Sequence, residues 1–582
     1  MPRALDPDRC LHILSCLVNG FRGVGMAIRA NKNFERTLEE ELWARIWEWL
    51  CWLDTNKDQL PFLRTDREAY HRVVGSIFHN GTPGLFTVIG RTWSYFVEHD
   101  VYLGYYSTWV DVSDAETALT DLSALYRLAP GRQGGFEEVL DGVGGTYADL
   151  AELITKNLQR TIHRASLNDY TISLPEHILV QIQGLATFTL QAMQRDNALV
   201  PDLAHAKTPR NLTAVARALA GMRLDGPGPR AVNVANSART TATMALVLRT
   251  LAHLCREDPK NGLAVSLNSQ LLHGLLMAGS NPVLTDRIHL LQPFLRELIP
   301  QSLVFHSVIA ALENYFKRDP NLTAQSGNQM LDQTLRDDWR SMLRLAHERI
   351  GVLRKYVQDG TLTKWRACDN PKCWKICGKT EIKRCGGCFS RYYCSRACQK
   401  ADYRPWHRTA CPRFRKEHLF VSKAFTDVDR RFFRALLTHD FEAHQLDISV
   451  AIVSFLRVQV GQNTLEVVPH LVFDYAAPGY SVSIRVGTRA EIEHGPNDVL
   501  SRSTDFEEDL PTGRSAGKML FVAMRIAHPL ISQSMRWYRR RFASGEYLCS
   551  LGDIAHEIQV EDSDPTRERV QGVIDKQIGY AF

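Results

Sequence analysis

The sequence predicts a mainly α protein with a small cysteine-rich finger in its second half and a small α+β region after it. Three observations carry this prediction. Apolar residues recur at helical spacing through much of residues 1–360. Eight of the 13 cysteines fall between Cys368 and Cys411. Beyond the cysteines, runs rich in β-branched residues partly alternate in the manner of strands. A chain of 582 residues exceeds what one hydrophobic core serves. The composition shifts divide it into residues 1–360, 361–415 and 416–582.

The first division reads as helix after helix. Met244, Val247, Leu248, Leu251 and Cys255 share one helical face, as do Leu267, Leu271, Leu272, Leu275 and Leu276. Val304, Val308, Leu312, Tyr315 and Phe316 form a third set. Breakers separate them: Asp258–Pro259, Asn281–Pro282, Pro300 and Asp319–Pro320. Helices of this kind with short connections suggest a solenoid of the degenerate armadillo or HEAT type. An irregular helical domain is the alternative. The run from Asp225 to Pro229 reads as a surface loop. In the last division residues 427–437 are an amphipathic helix, and residues 465–475 and 480–486 are strands around a turn at 476–479. Residues 519–526 are apolar and fit either strand or helix.

Hydrophobic residues make up 45% and charged residues 23%, which excludes a disordered chain. No run approaches the eighteen or so apolar residues of a spanning helix, so no membrane role is expected. The N-terminus lacks a basic start and a cleavage site, which points to an intracellular protein, in nucleus or cytoplasm. The Asn211–Leu212–Thr213 sequon is then a chance match. Cys10, Cys16, Cys51, Cys255 and Cys549 are scattered among apolar neighbours and read as buried small hydrophobes. Charge is concentrated: residues 361–420 hold 15 Lys and Arg against four acids, a net +11 in a chain of net +6, which leaves −5 elsewhere. A basic module attracts acidic partners or phosphate backbones.

In a reducing compartment the clustered cysteines point to metal. Their spacing is Cys368-x4-Cys373, Cys385-x2-Cys388, Cys394-x3-Cys398 and His407-x3-Cys411. Four ligand pairs make two tetrahedral zinc sites, two ions per chain. Gly386 and Gly387 free the backbone to turn Cys385 and Cys388 onto one ion. The two x3 pairs place both donors on one face of a helical turn.

In the order of these pairs, in the Tyr393–Cys394 step and in Gln399, Asp402 and Tyr403 ahead of His407 and Cys411, residues 368–411 resemble a MYND finger. The surrounding arrangement is similar, more loosely, to large MYND-type proteins of fungi. The resemblance implies a crossed ligation, with Cys368, Cys373, Cys394 and Cys398 on one zinc and Cys385, Cys388, His407 and Cys411 on the other. It also implies a protein-interaction module, with the helical part as scaffold, in transcriptional or chromatin regulation. Its partners are proteins or proline-containing peptides, and Gln399 and Tyr403 match the peptide groove. An aromatic face suits a proline ring and an amide can bond an extended backbone. Tyr403 as mere packing for a tiny core is the competing reading, and Trp406 and Tyr392 read as core. The sequence departs from the family twice. The first pair is usually Cys-x2-Cys, so Cys377 competes with Cys373, which is preferred because Asn370–Pro371 closes a compact turn. Tyr403 stands where Trp is common.

Four protein donors per zinc leave no open position for substrate, so no enzyme is expected. The Asn-His-Ser and Gly-Glu-Glu-Leu strings of MYND-linked methyltransferases are missing, as is the His-x-Asp motif of iron-dependent hydroxylases. A divergent methyltransferase is the distant alternative. Gly513-Arg514-Ser515-Ala516-Gly517 fits a nucleophile elbow, yet the polar run before it is no buried strand. Gly142-Val143-Gly144-Gly145 is too incomplete for a dinucleotide loop. Nucleic-acid binding is the nearer alternative. It would use Arg391, Tyr392, Tyr393 and Arg396, with a second basic run from Arg536 to Arg541.

Overall fold

The computed structural model describes residues 94, 97, 135–164, 176–221, 230–322, 324–358, 365–370, 373, 375–461, 469–488, 519–527, 534–542, 546–557, 563–576 and 580–581. Cys10, Cys16 and Cys51, the loop at 225–229 and the elbow-like motif at 513–517 lie outside these residues, as does the side chain of Trp406. Of the two remaining isolated cysteines Cys255 is buried as expected, but Cys549 is exposed, because its helix Glu546–Glu557 buries the face of Tyr547, Leu551, Ile554 and Ala555 instead. The chain forms two compact units. One comprises Met1–Leu254 and Ser269–Leu290, and the other Cys255–Asn268 and Leu291–Phe582. No helix of the described residues is long and apolar enough to cross a membrane.

The first half is built of α1 (Gly135–Val143), α2 (Tyr147–Arg164), α3 (Glu176–Arg195), α4 (Leu199–His205), α5 (Thr208–Ala220), α6 (Arg230–Glu257), α7 (Ala264–Asn268) and α8 (Leu271–Ser280). The apolar face read on Met244 to Cys255 is buried within α6. In the first unit the hydroxyls of Thr155 on α2 and Thr208 on α5 lie 2.7 Å apart, and Asn211 Nδ2 donates to Thr155 O at 3.3 Å. Asn211 is therefore buried, with its amide committed to helix packing and no room for a glycan. Asn281 Nδ2 donates to Ala220 O at 2.8 Å and satisfies a carbonyl at the end of α5. The periodicity of residues 267–276 reads as one helix, but the structure breaks it. Gln270 adopts a left-handed backbone at φ 69°, and α7 and α8 belong to different units. All five leucines are buried nonetheless, because each half of the pattern serves its own core.

The boundary between the units falls within α9 (Arg287–Gln292), and the second unit continues with α10 (Ile299–Ser302), α11 (His306–Arg318) and α12 (Gln333–Val352). Pro300 does not break the chain. It sits in the first turn of α10, where a missing N–H costs nothing. The described helices range from 4 residues in α10 to 28 in α6, so the mainly α class holds but a regular solenoid is not shown. Trp339 on α12 is fully buried, and the 3-10 turn Ala324–Gln329 lies on its indole. A Cβ at Gly327 would stand 2.5 Å from Trp339 Cδ1, so only glycine fits.

The finger follows: β1 (Trp365–Ala367), β2 (Ile376–Gly378), β3 (Lys383–Arg384), β4 (Tyr392–Tyr393), α13 (Arg396–Asp402), a π-helical turn Tyr403–His407 and α14 (Arg408–Ala424). Then come α15 (Asp427–Ala443), α16 (Gln445–Gly461), β5 (His470–Asp474), β6 (Ser483–Gly487), β7 (Met519–Ile526), β8 (Ser534–Phe542), α17 (Glu546–Glu557), α18 (Ser563–Asp575) and β9 (Tyr580–Ala581). Strands β5 to β9 form one sheet in the order β6-β5-β7-β8-β9, antiparallel except where β5 meets β7. The ambiguous run at 519–526 is thus a strand, and the Arg536–Arg541 run lies within β8. Thr426 caps α15 through a capping box with Asp429. Near the other end of α15, Arg349 Nη1 on α12 donates to both oxygens of buried Asp440, and Tyr475 donates to the same carboxylate at 2.6 Å.

Candidate metal centre and interaction surface

Two short hairpins frame the donors. β1 and β2 pair from Trp365↔Gly378 to Ala367↔Ile376, and Cys368 leaves the end of β1 with its N–H donated to Lys375 O at 2.8 Å. β3 and β4 pair at Lys383↔Tyr393 and Arg384↔Tyr392 and hold the Cys385–Cys388 knuckle between them. There Phe389 N–H donates to Cys385 O at 3.0 Å, and Cys385 N–H to Arg391 O at 2.8 Å. This turn puts Phe389 in the left-handed region at φ 59°. A Cβ at Gly387 would stand 2.9 Å from Cys411 Sγ, so glycine is required where the knuckle meets the last donor.

The structure brings the eight predicted donors into two groups of four, Cys368, Cys373, Cys394 and Cys398, and Cys385, Cys388, His407 and Cys411. Within each group the donor atoms lie within 4.8 Å of one another. A regular tetrahedral zinc with Zn–S near 2.3 Å and Zn–N near 2.05 Å requires about 3.8 Å between sulfurs and about 3.6 Å from sulfur to nitrogen. The Cys373–Cys394 and Cys394–Cys398 sulfurs are 3.4 and 3.5 Å apart. His407 Nε2 is 3.3 Å from Cys385 Sγ and 3.6 Å from Cys388 Sγ. These donors therefore fit zinc in kind, number and spacing. The groups interleave along the chain, so each fastens two distant segments. Cys377 is buried in β2 opposite Arg366 and belongs to neither group.

The surroundings favour the same reading. Burial holds the His407 imidazole neutral, the ligating form, with its pKa pushed down to about 4 and the Arg391 charge adding to the effect. Burial pushes the Cys411 thiol up to about 12 and Cys394 up to about 11, so a cation displaces their protons on binding. Cys398 is also pushed up by burial, but the Ser395 hydroxyl and neighbouring thiols outweigh that and bring it to about 7. Ser395 caps α13 by accepting the Cys398 N–H at 3.1 Å. Tyr393 donates to Asp402, which fixes β4 against α13. The His407 ring stacks on Phe414, their centroids 5.8 Å apart. Sequence reasoning missed Ser395, Asp402 and Phe414 as supports. Ser395 carried a signal as a cap residue before a helical donor pair, and Asp402 stood in the sequence only as part of the family resemblance, with nothing to show that it accepts from Tyr393.

A third group, Glu348, His439 and Asp440, also lies close enough to hold a cation. There both Asp440 oxygens are engaged by Arg349 and one also by Tyr475, so the group is an ion-pair network.

Gln399 and Tyr403 sit one helical turn apart on α13 and the π turn. Gln399 is half-buried, while Tyr403 is 40% exposed with its ring 5.9 Å from that of His407. Its side chain thus leans on the second donor group and opens outward. The set proposed for nucleic acid is dispersed. Arg391 is buried with its guanidinium 4.5 Å from the Phe414 ring centre, and Tyr393 is buried. Tyr392 is half-covered by Arg366 at 4.1 Å, leaving Arg396 exposed.

Residues 373–411 match the family model described as MYND finger. The match opens on Cys373, so the first donor group, which includes Cys368, reaches outside it. A 47-residue stretch is 43% identical to ubiquitin carboxyl-terminal hydrolase 19 of Arabidopsis thaliana and covers 8% of this chain and 7% of that protein. No solved structure matches the chain. The cysteine-rich segment of this chain is a MYND finger.

Proposed function

We propose that this is a non-enzymatic interaction protein whose finger binds two zinc ions for structure and takes proline-containing peptides on the face formed by Gln399 and Tyr403. The observation that carries the reading is Tyr403, a large aromatic side chain left 40% exposed one turn after Gln399 and leaning on a donor of the second metal group. Each donor set already supplies four protein ligands, which suits a structural ion and leaves no place for a reacting group. The metal's chemistry here is folding, since a 44-residue segment has too little core to fold alone. The likeness to a ubiquitin hydrolase covers the finger alone and gives no ground for hydrolysis by this chain.

The test is zinc analysis of full-length protein purified without added metal, followed by a proline-rich peptide array. Two zinc ions per chain and binding in the range of roughly 10–100 μM are expected, because so small a face buries little area. Tyr403→Ala is expected to abolish binding with the zinc content unchanged. One zinc per chain, or peptide binding indifferent to Tyr403, refutes the reading.

A further inference from the structure

We infer that the peptide face is built for an acidic partner, a proline-containing segment whose Asp or Glu residues alternate along an extended backbone. This inference rests on the peptide-binding reading above and adds to it the charge and spacing of the ligand. Arg396, Lys400 and Arg404 follow one another at intervals of four on α13 and the π turn, and so form a row one position along from Gln399 and Tyr403. All three are exposed, and among the described residues none forms an ion pair. Of the exposed charged residues between 375 and 416, ten are Lys or Arg and only Glu381 is acidic. The wall beside Tyr403 is therefore an unneutralised row of cations.

The spacing selects the form of the ligand. Four residues of helix rise about 6 Å, and alternate side chains on one face of an extended chain are about 6.6 Å apart. An extended peptide lying along α13 thus presents one carboxylate to each cation while its proline reaches Tyr403. A polyproline helix repeats its face only every ~9 Å and does not match. A nucleic-acid strand also carries regularly spaced anions, but it gains from exposed rings on which bases stack. Here Tyr393 is buried, Tyr392 is half-covered by Arg366, and among the described side chains of α13 and the π turn Tyr403 is the one exposed ring, a seat for a single proline where stacked bases need several rings, which favours a peptide.

The experiment uses the full-length zinc-loaded protein and fluorescence polarisation with two labelled peptides. One has a central proline flanked by Glu at alternate positions, and its twin carries Gln in place of every Glu. At low salt the acidic peptide is expected to bind roughly tenfold more tightly, from three exposed pairs of modest strength each. Replacing the row together (Arg396→Glu, Lys400→Glu, Arg404→Glu) removes this advantage and leaves the Gln twin unchanged. A charge-matched control on the β2–β3 segment (Lys375→Glu, Lys379→Glu, Lys383→Glu) preserves it. Should the triple variant lose zinc, Lys400→Gln alone is expected to weaken the acidic peptide about two- to threefold. Equal binding of the twins, still lost in Tyr403→Ala, overturns the acidic preference and spares the groove. Binding of neither peptide overturns both. Equal loss in the control variant means diffuse attraction and overturns the row. Displacement of the acidic peptide by a random single-stranded oligonucleotide, with a steep salt dependence, assigns the row to nucleic acid instead.

Discussion

Asp440→Ala is the sharpest test of how the second unit is held together. Arg349 and Asp440 are both buried and joined at 2.8 and 2.9 Å, and Tyr475 donates to Asp440 at 2.6 Å. Removing the carboxylate strands a buried guanidinium, a change that typically costs about 3–5 kcal/mol, and leaves a hydroxyl unpaired for about 1 kcal/mol more. Glu348, 3.7 Å from Arg349, offsets part of this, but it is half in solvent. A net loss of about 3 kcal/mol follows. Hydrogen exchange read on α12 and α15 then speeds up roughly a hundredfold if these helices open together. The double variant Arg349→Met, Asp440→Leu removes both charges and restores most of the protection, leaving only the Tyr475 hydroxyl. The reasoning fails if Asp440→Ala changes exchange less than about fivefold, or if the double variant is as unprotected as the single one.

Three other perturbations have defined outcomes. Gly327→Ala drives a methyl group into the Trp339 indole and is expected to cost roughly 1–3 kcal/mol, read as a lowered thermal midpoint; an unchanged midpoint contradicts the close contact. Cys368→Ser and Cys373→Ser are each expected to lose one zinc, whereas Cys377→Ser retains both; zinc loss in Cys377→Ser with retention in Cys368→Ser reassigns the first site to the segment where the family match begins. Iodoacetamide on the native protein is expected to label exposed Cys549 and spare Cys255, whose thiol is fully buried and pushed up to about 12; peptide mapping that finds Cys255 labelled first refutes this burial.

What could be read in advance was whatever depends on short-range periodicity. The amphipathic faces around Leu248 and Leu312 became α6 and α11, with most of each face buried along an unbroken helix. The run at 267–276 did not, since periodicity cannot say that one pattern serves two units, nor that Gln270 turns left-handed between them. Pro300 was read as a breaker because proline blocks a helix interior, whereas here it opens a new first turn. The donor pairs were legible because each is local, and the Asn370–Pro371 turn favoured Cys373 over Cys377 although both spacings fit a knuckle; Cys373 is the one that lies with the other three donors. The expected basic aromatic patch shows the opposite limit. Residues 391 to 393 look uniform in sequence, but Phe414, from the helix after the last ligand, covers Arg391, and Asp402 captures the Tyr393 hydroxyl. Burial decided by residues 9 and 23 positions away leaves no local signature.

These contacts bear on what the metal does beyond the finger. Cys411 lies in the first turn of α14, and the same helix carries Phe414, which stacks on His407, supports Arg391 and accepts a hydrogen bond from Ser390 at its carbonyl. The chain then passes through Phe425, buried against Phe433 on α15 with ring centres 5.2 Å apart, into the capping box at Thr426. The second donor group and the core containing Asp440 are thus joined by two consecutive helices and a fixed turn, not by a flexible linker. Chelation of zinc is therefore expected to raise hydrogen exchange in α14 as far as its junction with α15, beyond the finger itself. If exchange changes only within residues 365–411, the second metal group is mechanically isolated and its role ends at the finger's own fold.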